Sequence, residues 1–484
     1  MHHQFSASLS SDIMKLGQLS LLLAANLHVA TGLQHSFTDS EHQDELNSGS
    51  SCRERCFTTH VSAYQQVKGP VWMSTSPRDK LSAPVLSGVN GSTWEQWYFD
   101  AVSPDGDQSL LLCLARDASY SAMGFGVLRV EFALLLKNGT LVRGTDFLEQ
   151  SRVQDCCGSI RGEWWDSKEG GQPTRSYSFR VSPDMSRIEG EFHRPEIRGR
   201  FVFEADTPPR FADGNTWPSD TASNEMSPLF RYTEPMPGGR AEVSFALAED
   251  SDAQKARTEG KEQQHLNYSW EGLGGHNRLF SSRDWFSIVK GWNMGRARVG
   301  PYVISIWENE SRLDGKKYQG SMLFKDGILL VRARLDGTTS SSTSPPNGAD
   351  HLVMSRTYHS TRNNQGEEEE EGVSSSWGDL STGWKLEFVS PLRGKTWEFY
   401  MRHKTKHFEL GLGGGKGLAG FTEVVSGGEV GAEQYEGGYG MSELVVLPTS
   451  LSLKMMAELW WEQISSMDGS PLSKAWKIAS SIWK

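Results

Sequence analysis

The sequence predicts an all-β protein in which two antiparallel β domains are followed by a C-terminal helical tail. Three observations predict this fold class. Several short segments alternate apolar and polar residues with a period of two, which is typical of half-buried strands. Turn-forming pairs such as Asn138-Gly139 and Asp326-Gly327 join neighbouring segments of this kind. The chain has 484 residues and 50 glycines, which favours more than one core and many turns.

The first β domain is predicted over residues 76–247, after a polar and weakly patterned N-terminal segment at 33–75. Its strands are predicted at 94–100, 109–117, 127–142, 175–182, 187–193 and 198–205. The segment 207–220 is interrupted by prolines, and we expect it to form a loop because proline cannot donate to a β ladder.

An almost wholly polar segment, 248–264, is interpreted as a surface insertion or a linker, and the second β domain is predicted over residues 265–450. Its strands are predicted at 302–308, 321–335, 384–390, 396–410 and 442–448. The low-complexity segments 337–348 and 364–372, the second of which contains a run of glutamates, are expected to be solvated loops.

The two ends of the chain differ from the β regions. Residues 1–32 combine Lys15 with a short apolar stretch and then small residues, the pattern of a signal peptide; a disordered leader is the alternative. If the signal is used, the chain enters the secretory pathway or is secreted, and otherwise it is cytoplasmic. Residues 451–484 predict an amphipathic helical tail that packs on the β domains, with a membrane-surface contact as the alternative. No apolar run approaches the ~20 residues of a membrane span.

Cysteines and glycosylation sequons bear on the compartment. In an oxidising compartment Cys52 and Cys56 can each pair with Cys156 or Cys157, and Cys113 is expected to be a buried thiol. In a reducing compartment all five cysteines stay as thiols. The sequons that mark candidate glycosylation sites begin at Asn90, Asn138, Asn267 and Asn309.

Motifs for nucleophilic, phosphate or metal chemistry are absent or incomplete. The net charge of −11 argues against nucleic acid as a partner, because phosphate neutralisation requires a basic surface. There is no GxSxG motif, and the glycine-rich segment 411–417 lacks the Ser or Thr that follows the lysine of a phosphate loop. No set of Cys and His residues supplies four zinc ligands. The remaining functions are binding, or a reaction that needs neither proton transfer nor a covalent bond between the enzyme and its substrate.

Six segments, taken in order, resemble the fungal Diels–Alderases of polyketide and polyketide–amino acid pathways, which belong to a lipocalin-like group that includes carotenoid hydratases. The segments are TWEQWYFDAVSPDG (93–106), PPRFADGNTWP (208–218), RYTEPMPGGRAEVSF (231–245), EGLGGHNRLFSSRDWF (271–286), GRARVGPYVIS (295–305) and YEGGYGMSE (435–443). Together they span most of the chain between about residues 76 and 450.

The resemblance implies a two-domain β fold of lipocalin-like barrels or sandwiches, with a substrate pocket between or beside the domains. It implies an intramolecular [4+2] cycloaddition of a linear polyene that gives a decalin or a cytochalasan-type isoindolone. It also implies that the enzyme needs no cofactor. The partners would then be a small polyene substrate and, through the pathway, a polyketide synthase–peptide synthetase.

Candidate site residues follow from this resemblance and from the strand pattern. On the strand 94–100, Tyr98 and Asp100 share a face, and we expect them in the pocket as catalytic residues, with a structural hydrogen-bond pair as the alternative. Lys416 is the candidate donor to the substrate carbonyl, and a solvated lysine is its alternative. Candidate substrate-binding residues, for which core packing is the alternative, are Trp94, Gln96, Trp285, Trp292, Tyr435 and Tyr439.

Two other functions need the same kind of pocket. One is a non-catalytic lipocalin-like carrier of an apolar metabolite. The other is a hydratase similar to the carotenoid hydratases, which would need a buried acid near a double bond, and Asp100 is the candidate for it.

Overall fold

The computed structural model describes residues 56–166, 173–248, 265–338, 348–358 and 372–450, together with Met456. The leader predicted at 1–32, Cys52 and, apart from Met456, the predicted helical tail lie outside the described residues. The same holds for the polar segment 249–264 and for the glutamate run.

The first antiparallel sheet contains fourteen strands, all from the chain up to residue 281. They are β1 (Cys56–Ser62), β2 (Trp94–Val102), β3 (Ser109–Asp117), β4 (Leu128–Leu135), β5 (Leu141–Phe147), β6 (Gln150–Cys156), β7 (Ser159–Trp165), β8 (Ser176–Val181), β9 (Arg187–His193), β10 (Ile197–Ala205), β11 (Arg210–Phe211), β12 (Glu225–Ser227), β13 (Phe230–Ala248) and β14 (His265–Ser281). Their order in space is β1-β6-β7-β8-β9-β10-β13-β14-β2-β3-β4-β5, and the short strands β11 and β12 pair with β13. The sheet curves into a half-barrel.

The second sheet contains nine strands and forms a nearly closed barrel. They are β15 (Val289–Val299), β16 (Tyr302–Ser311), β17 (Lys317–Lys325), β18 (Ile328–Thr338), β19 (His351–Thr357), β20 (Gly383–Ser390), β21 (Lys395–Gly413), β22 (Lys416–Glu429) and β23 (Gln434–Val446). The order β18-β17-β16-β15-β23-β22-β21-β20-β19 brings the two edge strands, β18 and β19, into contact. The predicted all-β architecture with two antiparallel sheets is therefore confirmed.

Helical structure in the described residues is limited to short segments. These are 3-10 turns at Ala118–Met123 and Pro391–Arg393 and one helical turn at Trp285–Ile288, and Met456 is helical as well. None of the helices in the described part of the chain has the length and apolar character that crossing a membrane requires.

The chain passes from the first sheet to the second at a different place from the predicted domain boundary. The polar segment 248–264 was interpreted as an insertion or a linker, yet Ala248 and His265 are opposite each other in the β13–β14 ladder. The segment thus connects two neighbouring strands of the first sheet, and β14 lies between β13 and β2. The chain passes to the second sheet after Ser281, through the helical turn that contains Trp285.

Strand β2 separates two cores because its side chains alternate between its faces. Trp97 and Phe99 point into the core of the first sheet. Trp94 and Tyr98 belong instead to a cluster shared with the second sheet, which includes Trp307 of β16. The face predicted for a pocket is thus the face that meets the second sheet.

A disulfide links the N-terminal strand β1 to its neighbour β6. Cys56 and Cys156 are opposite each other in the β1–β6 ladder and form a disulfide, with their Cα atoms 4.4 Å apart. Cys157 is disulfide-bonded as well. Cys113 is a free, buried thiol.

The four sequon asparagines differ in accessibility. Asn138, in the turn between β4 and β5, and Asn267, in β14, are exposed. The carboxamide of Asn90 donates to the Gly69 carbonyl at 2.9 Å and is half-buried. Asn309 is 1% exposed, so the folded chain cannot present it for glycosylation, which corrects that expectation.

Candidate active site

A cavity between the two sheets is lined by side chains from both. Its empty volume is about 960 Å³, part of which is open to solvent. Its lining combines apolar residues, a buried phenol and carboxyl group, and a charged cluster.

Three tryptophans supply flat apolar walls. Trp285 comes from the helical turn, Trp292 from β15 and Trp307 from β16. The ring centroids of Trp285 and Trp292 are 5.2 Å apart, and those of Trp292 and Trp307 are 6.2 Å apart with nearly parallel planes. Trp94 of β2 supports this wall by stacking on Trp285 at 3.7 Å. Such faces suit a flat conjugated chain.

Tyr98 and Glu443 bring a polar pair into the same cavity. The Tyr98 hydroxyl on β2 donates to Oε2 of Glu443 on β23, with 3.3 Å between the oxygens. Burial raises the pKa of Glu443, and the negative charge of Glu131 adds to this effect. Hydrogen bonding from Tyr98 and Trp292 opposes the shift, and the resulting pKa is about 8. Burial and the neighbouring Glu443 raise the pKa of Tyr98 well above its usual value.

A charged cluster also lines the cavity. The guanidinium of Arg129 on β4 lies 3.2 Å from Asp117 and 3.0 Å from Glu131. It also lies 4.7 Å from the ring centroid of Tyr120, within the range of a cation–π contact. Burial acts to lower the pKa of Arg129, but the two carboxylates outweigh it and the net shift is upward. Arg129 is therefore a permanent cation at the cavity.

Asp100 is held in a buried ion pair. Its carboxylate pairs with the guanidinium of Arg296 on β15, so the contact connects the two sheets. Arg296 also donates to Oδ1 of Asn277 at 2.8 Å. These three residues line a second, smaller cavity together with Tyr98. Burial acts to lower the pKa of Arg296, but the Asp100 carboxylate outweighs it and the pKa is raised.

A comparison with protein families decides the family. A family profile described as Diels-Alderase-like matches residues 53–448. The chain belongs to the Diels-Alderase-like family. This confirms the resemblance drawn from the six segments, and the match covers nearly all of both sheets.

Relatives of the family have similar lengths. The Diels-Alderase mycB of Thermothelomyces thermophilus is 36% identical over 445 residues, which cover 90% of this chain and 91% of the relative. The hexane cyclase pydB of an Acremonium species is 34% identical over 389 residues, covering 79% and 81%. The crystal structure of CghA with Sch210972 matches with a TM-score of 0.66 at 20% identity, covering 81% of this chain and 100% of that chain. The match to CghA shows that the two proteins share the fold.

Within this family fold, the cavity brings together four of the side chains that the sequence suggested. Gln96, Tyr98, Trp285 and Trp292 all line it. Trp94 lies one layer away, and its indole N–H donates to the backbone carbonyl of Arg283 at 2.7 Å. Asp100 faces the smaller cavity and is paired with Arg296, which corresponds to the structural alternative considered for it.

The other three candidates lie elsewhere. Lys416 is opposite Gly413 at the tip of the β21–β22 hairpin. Leu412 and Leu418 of this hairpin line the cavity, but Lys416 lies beyond them at the turn and does not, which corrects that expectation. Tyr435 donates to Glu433 at 2.7 Å and packs edge-to-face on Tyr302. Tyr439 packs beside a separate small cluster. Among the described residues that line the cavity, none of the three candidates appears.

Reasoning from the sequence did not identify Glu443 as an acid that lines the cavity. Glu443 was read only as part of a strand, although it is the one acid in the otherwise apolar segment SELVVLP (442–448). Arg129 and Glu131 were not singled out within the strand predicted at 127–142. A lone acid in a buried strand is the signal that could have found Glu443, because buried carboxyl groups are rare without a partner.

Proposed function

We propose that the chain catalyses an intramolecular Diels–Alder [4+2] cycloaddition of a linear polyene polyketide–amino acid intermediate in fungal secondary metabolism. The observation that carries this proposal is the cavity between the sheets, with its indole walls and its buried Tyr98–Glu443 pair. The Diels-Alderase and hexane cyclase names of the relatives support the same reaction class. A polyketide synthase–peptide synthetase would supply the substrate.

The cavity fits the physical demands of the reaction. Part of the barrier of an intramolecular cycloaddition is the entropy of folding the chain so that the diene and the dienophile meet. A cavity that holds both ends in contact can contribute several kcal/mol, within the ~7–11 kcal/mol attributed to proximity and orientation. Parallel indole faces such as those of Trp292 and Trp307 restrict the face on which the two partners approach.

The test mixes the purified protein with a linear polyene that carries an activated dienophile. We expect a faster reaction than in buffer and one diastereomer in excess. Trp292→Ala, which removes a wall, should lower the rate, whereas the matched variant Trp72→Ala should not, because Trp72 is 67% exposed. A rate and a diastereomer ratio equal to those in buffer would refute the proposal. Binding without turnover would indicate a carrier, and a product heavier by one water would indicate a hydratase.

We also propose that the chain folds in the secretory pathway. The Cys56–Cys156 disulfide supports this, because such bonds persist in oxidising compartments. The exposed sequon residues Asn138 and Asn267 support it as well. The test is to express the full chain in a fungal host, to compare its gel mobility before and after enzymatic deglycosylation, and to sequence its N-terminus. Unglycosylated protein with every thiol free would contradict the proposal.

A further inference from the structure

We propose that Glu443 is a catalytic residue that donates a hydrogen bond, as a neutral carboxylic acid, to the substrate carbonyl conjugated with the dienophile, and that Tyr98 is the residue that positions it. This inference rests on the cycloaddition proposed above and names the group that would activate the substrate. It replaces Lys416 as the candidate donor.

The position of Glu443 comes from three strands. Strand β23 carries the side chain, which is 6% exposed and lines the cavity. Strand β2 carries Tyr98, whose hydroxyl donates to Oε2. Strand β15 carries Trp292, which also hydrogen-bonds to the carboxyl group. Since the carbonyl oxygen of an acid is a better acceptor than its hydroxyl oxygen, the bond from Tyr98 assigns the carbonyl to Oε2 and the proton to Oε1.

The electrostatic surroundings keep this proton in place. Around Glu443, the charged and titratable groups are Tyr98 and Asp100 on β2, Cys113 on β3, and Glu131 on β4, where Arg129 pairs with Glu131. Burial and the negative charges of Glu131 and Asp100 raise the pKa of Glu443 to about 8. The acid is therefore mainly neutral at pH 7, and it is a hydrogen-bond donor where a carboxylate would only accept.

A neutral acid fits the electron flow of the reaction. Two C–C σ bonds form while three π bonds become one, so the product is an isomer of the substrate and no proton is transferred. As electrons move from the diene to the dienophile, negative charge grows on the conjugated carbonyl oxygen. A fixed donor at that oxygen strengthens in the transition state, and more so in a buried site than in water. An ionised Glu443 would repel the same charge.

The first experiment compares three proteins in single-turnover reactions from pH 6 to pH 10, with the rate in buffer subtracted. We expect the wild-type rate to fall above pH 8. Glu443→Gln keeps an N–H donor that does not titrate, so its rate should stay level across this range, at pH 7 within several-fold of wild type. Glu443→Leu has no donor, and we expect a loss of roughly 100-fold at pH 7, as for removal of one oxyanion donor.

The fall in rate above pH 8 is the alkaline limb of the pH–rate profile. Two substitutions next to Glu443 should shift this limb in opposite directions. The Tyr98 hydroxyl stabilises the ionised form, so Tyr98→Phe should shift the limb to higher pH. The charge of Glu131 destabilises the ionised form, so Glu131→Gln should shift the limb to lower pH. A merely structural role for either residue would alter the rate but would not produce opposite shifts of the limb.

Infrared spectroscopy separates this inference from the proposed function. Without substrate, the carbonyl band of a buried carboxylic acid should titrate near pH 8 in the wild-type protein and be missing in Glu443→Gln. If the wild-type protein accelerates the reaction but Glu443→Gln keeps the alkaline limb, or Glu443→Leu keeps the wild-type rate, this inference is overturned and the cycloaddition stands. If the wild-type protein does not accelerate the reaction, the proposed function fails whatever the infrared result.

Discussion

The ion pair between Asp100 and Arg296 connects the two sheets, and we predict that Asp100→Asn destabilises the whole fold. The Arg296 side chain is 4% exposed. Besides pairing with Asp100, it donates to the carbonyls of Pro237 at 2.6 Å and Met236 at 3.3 Å, and to Asn277 at 2.8 Å. Among these four partners only Asp100 carries charge. The substitution to asparagine keeps the size of the side chain and leaves the buried cation with neutral hydrogen-bond partners only.

The magnitude follows from the burial of both partners. Removing one member of a buried pair costs about 3–5 kcal/mol, because the remaining charge is left uncompensated. The carbonyl and amide acceptors of Arg296 remain in place after the substitution. The charge of the nearby Glu234 also favours the cation. We therefore expect a loss at the lower end, about 3 kcal/mol in the free energy of unfolding.

A matched control exists in the same interface. Asp206 pairs with Arg298 of β15, but their side chains are 42% and 27% exposed. Solvent screens such a pair, and we expect Asp206→Asn to cost less than about 1 kcal/mol. Both variants change aspartate to asparagine opposite an arginine of β15, and the two pairs differ most in their burial.

Urea denaturation followed by tryptophan fluorescence measures both variants at pH 7. The reasoning predicts a much lower midpoint for Asp100→Asn than for Asp206→Asn, with similar slopes. A free energy of unfolding for Asp100→Asn within 1 kcal/mol of wild type would refute it, because breaking a buried pair costs about 3 kcal/mol or more. Equal losses for the two variants would refute it as well.

Three further outcomes follow from the structure. The pKa of Glu443 is about 8 in the folded chain, whereas its ordinary value, which applies to the unfolded chain, is 4.5. As the pH rises, Glu443 therefore ionises in the unfolded chain before it ionises in the folded chain. The contribution of Glu443 to the free energy of unfolding should therefore fall by on the order of 4 kcal/mol between pH 4.5 and pH 8, and the difference between urea titrations of the wild type and of Glu443→Gln should show this fall. Cys56→Ser should cost less than the ~2–5 kcal/mol usual for a lost disulfide, measured by thermal unfolding, because Cys157, next to Cys156, stays disulfide-bonded. Gly275→Ala would place a Cβ 2.1 Å from Cζ of Arg296, and we expect a loss of about 1–3 kcal/mol in urea; an unchanged midpoint would contradict that contact.

The strand pattern was sufficient to predict the fold class because alternation and turn residues are local signals. The segment 109–117 is strand β3, and Asp326-Gly327 is the turn between β17 and β18. The assignment of strands to sheets was not a local matter. A polar segment such as 248–264 has the same composition whether it links two domains or two neighbouring strands. Only the register of β13 with β14 shows which of these it does.

The candidate site shows the same limit. Alternation along β2 placed Gln96 and Tyr98 on one face, and both line the cavity. What lies opposite that face cannot be read from the strand itself. Glu443 is 345 residues away from Tyr98 in the sequence and meets it only through the packing of the two sheets. Asp100 shares the predicted face but pairs with Arg296, and its place on that face did not predict this partner.

The two faces of strand β2 make different contacts, and this difference explains how a cavity of fixed shape can arise. On the face toward the first core, Glu95 lies 3.2 Å from Arg116 and 3.1 Å from Arg278, and all three side chains are buried. These contacts hold β2 in place from the side of the first core. On the other face, Tyr98 reaches Glu443 across the two sheets. A reaction whose rate depends on positioning to within about 1 Å needs its donor on such rigid elements rather than on a loop.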